Sequence, residues 1–209
     1  MGQILKFPVQ ASKFGYKRVK KGTRAAENPN QLQLFERPSA KILSLTSQAS
    51  SFEQALLLDE RGDAKAAELY VKAIEEQDCV ADAYCNLGII ESKQGNHPKA
   101  FDCFTTSLKH DSRHFEAHYN LGNMYFDASD YRLSQLHYEI AATIDPSFPN
   151  LYFNLALVQA INNELASAII ALLRYQELAP ANEGRNADEL LLNLRRSLAA
   201  TDASRSSGT

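Results

Sequence analysis

Tryptophan is absent from this sequence, and cysteine is scarce, with Cys79, Cys85 and Cys103 the only thiols. Three is an odd number and no Cys-x-x-Cys pair occurs, so neither a disulfide framework nor a zinc knuckle fits. The three read as reduced thiols, two of them on packed or groove faces. No stretch approaches the ~18–20 apolar residues that would span a bilayer, so no membrane partner is expected. The first residues carry charge early and lack the apolar run of a secretory leader, which points to the cytoplasm. The chain also lacks a Gly-rich phosphate loop, a Gly-x-Ser-x-Gly elbow and a His-Glu-x-x-His pair. We therefore expect no enzyme: no catalytic residue, no cofactor and no metal ligand is assigned. His110, His114 and His118 fall four apart. They straddle a break in the helical pattern near Ser112, so they are not expected to share one face.

Charge is present but unevenly placed. The 209 residues hold 22 Lys and Arg against 25 Asp and Glu, a net −3. Residues 1–46 hold nine of those cations against Glu27 and Glu36, or +7, which leaves −10 on the remainder. These 46 residues show no period of 3.6 or of 2, and they contain Pro8, Pro29 and Pro38 with Gly15 and Gly22. They read as a basic, mostly disordered arm. Within it Lys17, Arg18, Lys20, Lys21 and Arg24 lie beside Phe14 and Tyr16. Such a cluster suits nucleic acid through phosphate neutralisation. It equally suits a solvated arm, or one lying in an acidic groove of its own chain.

From Ser50 onward the pattern becomes helical. Ser50 and Glu53 have the spacing of a capping box, and Phe52, Ala55, Leu56 and Leu58 follow at helical spacing. Gly62-Asp63 breaks this segment, and a second helix is expected over 66–76. Then the chain repeats itself. Tyr84-Cys85-Asn86-Leu87-Gly88 recurs as His118-Tyr119-Asn120-Leu121-Gly122 and as Tyr152-Phe153-Asn154-Leu155-Ala156, at steps of 34 residues. Ala100, Ser134 and Ala168 keep the same register, as do Phe104, Tyr138 and Leu172. A fixed period of this size marks a stack of helix–turn–helix units. Gly88 and Gly122 are small so that two helices of one unit approach closely, and Leu87, Leu121, Leu155, Phe104 and Tyr138 fill the space around that contact. Pro146 and Pro180 stop the second helices. No unit buries its apolar face alone, so stacking is obligatory.

This pattern resembles the tetratricopeptide repeat, W-x2-L-G-x2-Y…A-x3-F…A-x4-P, over residues 48–182. Four units are read: 48–80, 81–114, 115–148 and 149–182. The third matches best, through Leu121, Gly122, Tyr125, Tyr138, Ala141 and Pro146. The first has Ala55 at the glycine position and is one residue short after Gly62; the fourth has Ala156 there and Tyr175 where a small residue is usual. The resemblance implies an all-α, right-handed superhelical solenoid of about four units. A capping helix is expected over 186–198, within a segment 183–200, because Leu190, Leu191, Leu194 and Leu198 share one face. Residues 201–209 read as a disordered polar tail.

The resemblance also implies a concave groove lined by the first helix of each unit, suited to an extended peptide or another partner protein. The groove positions carry Asp82, Cys85, Asn86, Ile89, Ser92 and Lys93 in the second unit. In the third they carry Glu116, Tyr119, Asn120, Asn123, Phe126 and Asp127, and in the fourth Asn150, Phe153, Asn154, Leu157, Ala160 and Ile161. Asn86, Asn120 and Asn154 stand out, because an amide offers two donors and an acceptor that match a peptide backbone. They resemble the asparagine ladder of the O-linked N-acetylglucosamine transferases; the alternative is hydrogen bonding within the helix pair. Repeats that bind chaperone C-terminal carboxylates use Lys and Arg at the groove positions where this chain has none, so that activity is not expected. In the arm, Gln31, Leu32, Leu34 and Phe35 of Gln31-Leu32-Gln33-Leu34-Phe35 resemble the peptide by which bacterial proteins dock on the DNA polymerase sliding clamp. The competing reading folds Leu32, Leu34, Phe35, Ile42 and Leu43 back onto the first repeat. A nucleic-acid- or replication-associated factor is thus the second functional expectation, behind a protein-binding scaffold.

Overall fold

Helix follows helix wherever the 34-residue pattern runs. The computed structural model describes residues 49–179 and 185–206, and among these no strand occurs. The arm, with its basic cluster and Gln31-Leu32-Gln33-Leu34-Phe35, lies outside the described residues. The helices are α1 (Ser51–Glu60), α2 (Lys65–Glu75), α3 (Val80–Lys93), α4 (His97–His110), α5 (Phe115–Asp127), α6 (Tyr131–Ile144), α7 (Pro149–Ile161), α8 (Leu165–Leu178) and α9 (Arg185–Ser206). They pair as α1/α2, α3/α4, α5/α6 and α7/α8, and each pair packs on the next, with α9 against α8. The chain is an all-α solenoid.

Local chemistry sets the helix ends. Ser50 caps α1: its hydroxyl accepts from the Glu53 N–H while the Glu53 carboxylate accepts from the Ser50 N–H. Within each pair the turn is closed by one left-handed residue, Gly62, Gly95, Ser129 or Asn163. The following N–H then bonds back to a carbonyl five residues earlier, as Asp130 does to Tyr125. This is the hydrogen-bonding pattern of a Schellman C-cap. The left-handed residue precedes the buried small residue of the next helix by five in three units (95/100, 129/134, 163/168) and by four in the first (62/66). The shorter first turn expected from the sequence is therefore present.

Close approach within each pair depends on the absent side chain. A Cβ on Gly88 would lie 2.8 Å from Phe104 Cε1, and one on Gly122 would lie 2.5 Å from Tyr138 Cε1. Both rings are fully buried. Ser134, at the alanine position, turns its hydroxyl onto the Gly122 carbonyl at 2.8 Å. The apolar interior is a string of three clusters, as a stack requires: one around Phe52 and Tyr70, one around Ile89 and Phe104, and one running from Phe115 to Leu194.

The last helix departs from expectation. α9 continues to Ser206, so residues 201–206, expected within a disordered tail, are helical. Nothing between Leu198 and Ser206 breaks a helix: the segment holds no proline or glycine, and Ala199, Ala200 and Ala203 favour the helical state.

Candidate functional site

The first helices of successive units touch each other and form one continuous inner wall, α3–α5–α7. Asn154 on α7 donates its Nδ2 to Tyr119 Oη and to Asn123 Oδ1, both at 3.1 Å on α5. Asn120 on α5 reaches Cys85 Sγ on α3 at a weak 3.9 Å. His114, the side-chain cap of α5, accepts from the Ala117 N–H at Nδ1 and donates Nε2–H to Asp82 on α3 at 3.2 Å. The second helices lie outside this wall and carry exposed apolar side chains, Leu133 and Leu136 on α6 and Ile170 and Leu173 on α8.

This arrangement corrects the picture of three asparagines as an outward ladder. Asn86, Asn120 and Asn154 are 3%, 0% and 2% exposed, inside the wall and not proud of it. The Asn154 amide is committed to the preceding unit, an arrangement that differs also from bonding within its own helix pair. The cause is visible in the residues 35 and 31 positions earlier. For Asn154 these are Tyr119 and Asn123, both polar; for Asn120 they are Cys85 and Ile89. For Asn86 the equivalent residues, allowing for the shorter first unit, are Phe52 and Leu56, which offer nothing. Polar partners therefore run out toward the N-terminal end. Asn120 Oδ1 and Asn86 Nδ2 are left without hydrogen-bond partners, as are Asn123 Nδ2 and Ser92 Oγ on the same wall.

The other expected groove residues divide in the same way. Ile89, Tyr119, Asn123 and Leu157 are buried, Phe153 is half-buried against the Tyr175 ring, and Asp127 is exposed. Carboxylates dominate the polar rim. Asp82 and Asp127 occupy groove positions there, Glu116 is buried beneath them against His114, and α1 adds Glu53, Asp59 and Glu60 at the equivalent places; among the described residues Lys93 is the cation set against them there. A wall of this kind favours a cationic, extended ligand and repels an acidic one.

Two features carry no signal in the sequence. Tyr138 Oη donates to Asn123 Oδ1 at 2.6 Å, which completes a buried network of Tyr119, Asn123, Tyr138 and Asn154. Burial pushes the Tyr119 hydroxyl up to about 12 and raises that of Tyr138 well above its usual value, so both stay protonated as the network requires. The second feature is His118 facing His137, with Nδ1 to Nδ1 at 3.0 Å. Burial lowers His118 and, with His118 beside it, takes His137 down to about 4. His110 instead stacks on Tyr84, so the three histidines at four-residue spacing go to three separate places.

The Cys85 and Cys103 thiols are held protonated. Burial, and then the Glu116 carboxylate, raise Cys85 well above its usual value. Burial, and then Glu91, raise Cys103 to about 11.

Residues 81–114 match a family model described as tetratricopeptide repeat, and residues 123–183 match a second model of the same description. Among curated proteins, the BBSome complex member BBS4 of Bos taurus is 27% identical over 116 residues, covering 56% of this chain. The chain spans only 22% of the length of that relative. Among solved structures, the first TPR of Spaghetti (RPAP3) bound to the HSP90 peptide SRMEEVD superimposes with a TM-score of 0.52 at 21% identity, over 57% of this chain and 93% of that one. The first TPR domain of the human RPAP3 protein gives 0.51 at 21% identity, over 59% and 96%. At such identity the likeness carries the fold.

Proposed function

Because the chain is a tetratricopeptide-repeat protein, we propose that it is a non-catalytic interaction scaffold whose inner wall holds an extended, basic segment of a partner polypeptide. The observation that carries this reading is the run of carboxylates at the groove positions of α1, α3 and α5: Glu53, Glu60 and Asp127 are exposed, and Asp59 and Asp82 are half-buried. These carboxylates set the sign of the partner's charge.

The RPAP3 domain was solved with SRMEEVD, a peptide carrying three carboxylate side chains. This chain presents carboxylates at its groove positions, so that peptide is the wrong partner for it. The test uses this contrast. Fluorescein-labelled SRMEEVD and its charge-reversed form SRMKKVK are titrated against the full chain by polarisation at about 0.1 M salt, where surface charges still act over ~10 Å. The basic peptide should bind and the acidic one should not. Binding should weaken several-fold in the Asp82→Asn/Asp127→Asn variant. Equal binding of both peptides, or indifference to those substitutions, refutes the reading.

A further inference from the structure

We propose that the first occupant of the inner wall is the chain's own basic arm, with Lys17, Arg18, Lys20, Lys21 and Arg24 set against the carboxylates of α1, α3 and α5, so that a partner must displace it. This rests on the reading of the wall as a peptide site and adds its regulation. Two observations carry it.

The first is charge. Residues 1–46 hold +7 and the remainder of the chain −10. Acidic side chains concentrate at the wall positions of α1, α3 and α5, where the accessible carboxylates of Glu53, Asp59, Glu60, Asp82 and Asp127 stand with one Lys93. The second is reach, from the end of the solenoid at which the arm enters, ahead of Ser50 and α1. Arg24 is 25 residues from Ala49, and an extended chain covers roughly 3.3–3.6 Å per residue, or about 80 Å. Successive helices of the wall sit only about 10 Å apart.

Tethering makes the competition effective. A linker of this length holds its end at an effective concentration of order millimolar. An arm whose own dissociation constant is about a tenth of that concentration is bound most of the time, and a foreign peptide then binds about tenfold more weakly than to the free wall. Displacement is sensitive to salt, because the contact is largely charge against charge.

The test is made on the full chain. Carbodiimide links a lysine to a carboxylate only when the two touch, and the links are read by mass spectrometry in a mixture of isotopically light and heavy chains. Links from Lys17, Lys20 or Lys21 to Asp82, Asp127 or Glu60, confined to light–light and heavy–heavy products and lost at about 0.5 M salt, where screening is strong, are expected. Links only to outer-face carboxylates such as Asp102 or Glu139, links equally between light and heavy chains, or no links at all overturn the proposal. A second arm compares SRMKKVK binding to the wild type and to Lys17→Gln/Arg18→Gln/Lys20→Gln/Lys21→Gln/Arg24→Gln, where about tenfold tighter binding is expected from the tethering arithmetic. An unchanged affinity sinks the self-occupancy but leaves the peptide site standing. If neither protein binds the peptide while the links persist, the foreign-partner reading fails and the arm's place on the wall is upheld.

Discussion

Replacing Gly122 by alanine adds one methyl group where the structure has no room for it. That carbon would stand 2.5 Å from Tyr138 Cε1, 2.6 Å from Cδ1 and 3.1 Å from Cζ. Carbon atoms in contact prefer about 3.5–4.0 Å, so the ring must retreat by roughly 1 Å. It has nowhere to go: Tyr138 is fully buried and its hydroxyl is held by Asn123 at 2.6 Å. Overpacking of this sort costs about 1–3 kcal/mol, and pulling the hydroxyl off Asn123 adds about 1–3 kcal/mol for a buried donor left unpaired. Against this stands the better helix propensity of alanine, worth about 1 kcal/mol. The clash wins, and a net loss of roughly 2 kcal/mol is expected. For a chain of this size that lowers Tm by roughly 4–8 °C, measurable by circular dichroism during heating and by urea titration. The fourth unit supplies the control, since it carries Ala156 and Leu172 at the equivalent positions. In a Tyr138→Leu background the same Gly122→Ala change should therefore cost little or even stabilise. Gly88→Ala, whose new carbon would meet Phe104 at 2.8 Å, should cost less than Gly122→Ala. A Gly122→Ala protein as stable as the wild type, or a cost that persists unchanged in the Tyr138→Leu background, refutes the reasoning.

Asn154→Ala removes two buried hydrogen bonds between units and should cost about 2 kcal/mol at roughly 1 kcal/mol per bond. Asn120→Ala, which gives up only the long contact to Cys85, should cost far less; equal urea midpoints for the two would refute the division drawn between them. Acid should weaken the third unit through its histidine pair. His137 is depressed from 6.5 to about 4 and His118 is lowered as well. Their contribution is therefore complete above about pH 6.5 and is lost as the pH falls toward 4, because the unfolded chain takes up protons that the folded chain refuses. Tm should drop between about pH 7 and pH 5, and His137→Gln should flatten that slope; an unaltered slope shows that the pair is not its source.

The solenoid was legible because translation by 34 residues leaves its mark on residue size. Gly88 and Gly122 face Phe104 and Tyr138, and that alternation of smallest against largest can be read without coordinates. The short first turn was legible for the same reason, as a missing residue after Gly62. The end of α9 was not. Its polar, serine-rich composition suggested a tail, whereas the absence of any breaker allowed the helix to run on to Ser206. Nor was the His118–His137 pair, since nothing in a spacing of 19 residues signals that two rings on α5 and α6 will meet.

The asparagines show where register stops being informative and a second reading becomes necessary. Equal spacing makes Asn86, Asn120 and Asn154 equivalent as positions, yet an amide's role is decided by what lies one unit earlier, at offsets of 35 and 31. Tyr119 and Asn123 there convert Asn154 into a bolt between α5 and α7. Cys85 and Ile89 leave Asn120 with a thiol at 3.9 Å and an idle carbonyl oxygen. Phe52 and Leu56 leave the Asn86 Nδ2 donor without a partner. The same residue type thus grades along the stack from a satisfied bolt to a buried amide with an idle atom. If the missing neighbours are the cause, then placing polar partners where they are absent should satisfy Asn120. A Cys85→Tyr/Ile89→Asn chain, rebuilt to match Tyr119 and Asn123, should gain stability, as seen in its urea midpoint. No gain in stability would mean that the apolar pair at 85 and 89 does not explain why the Asn120 carbonyl oxygen stands idle.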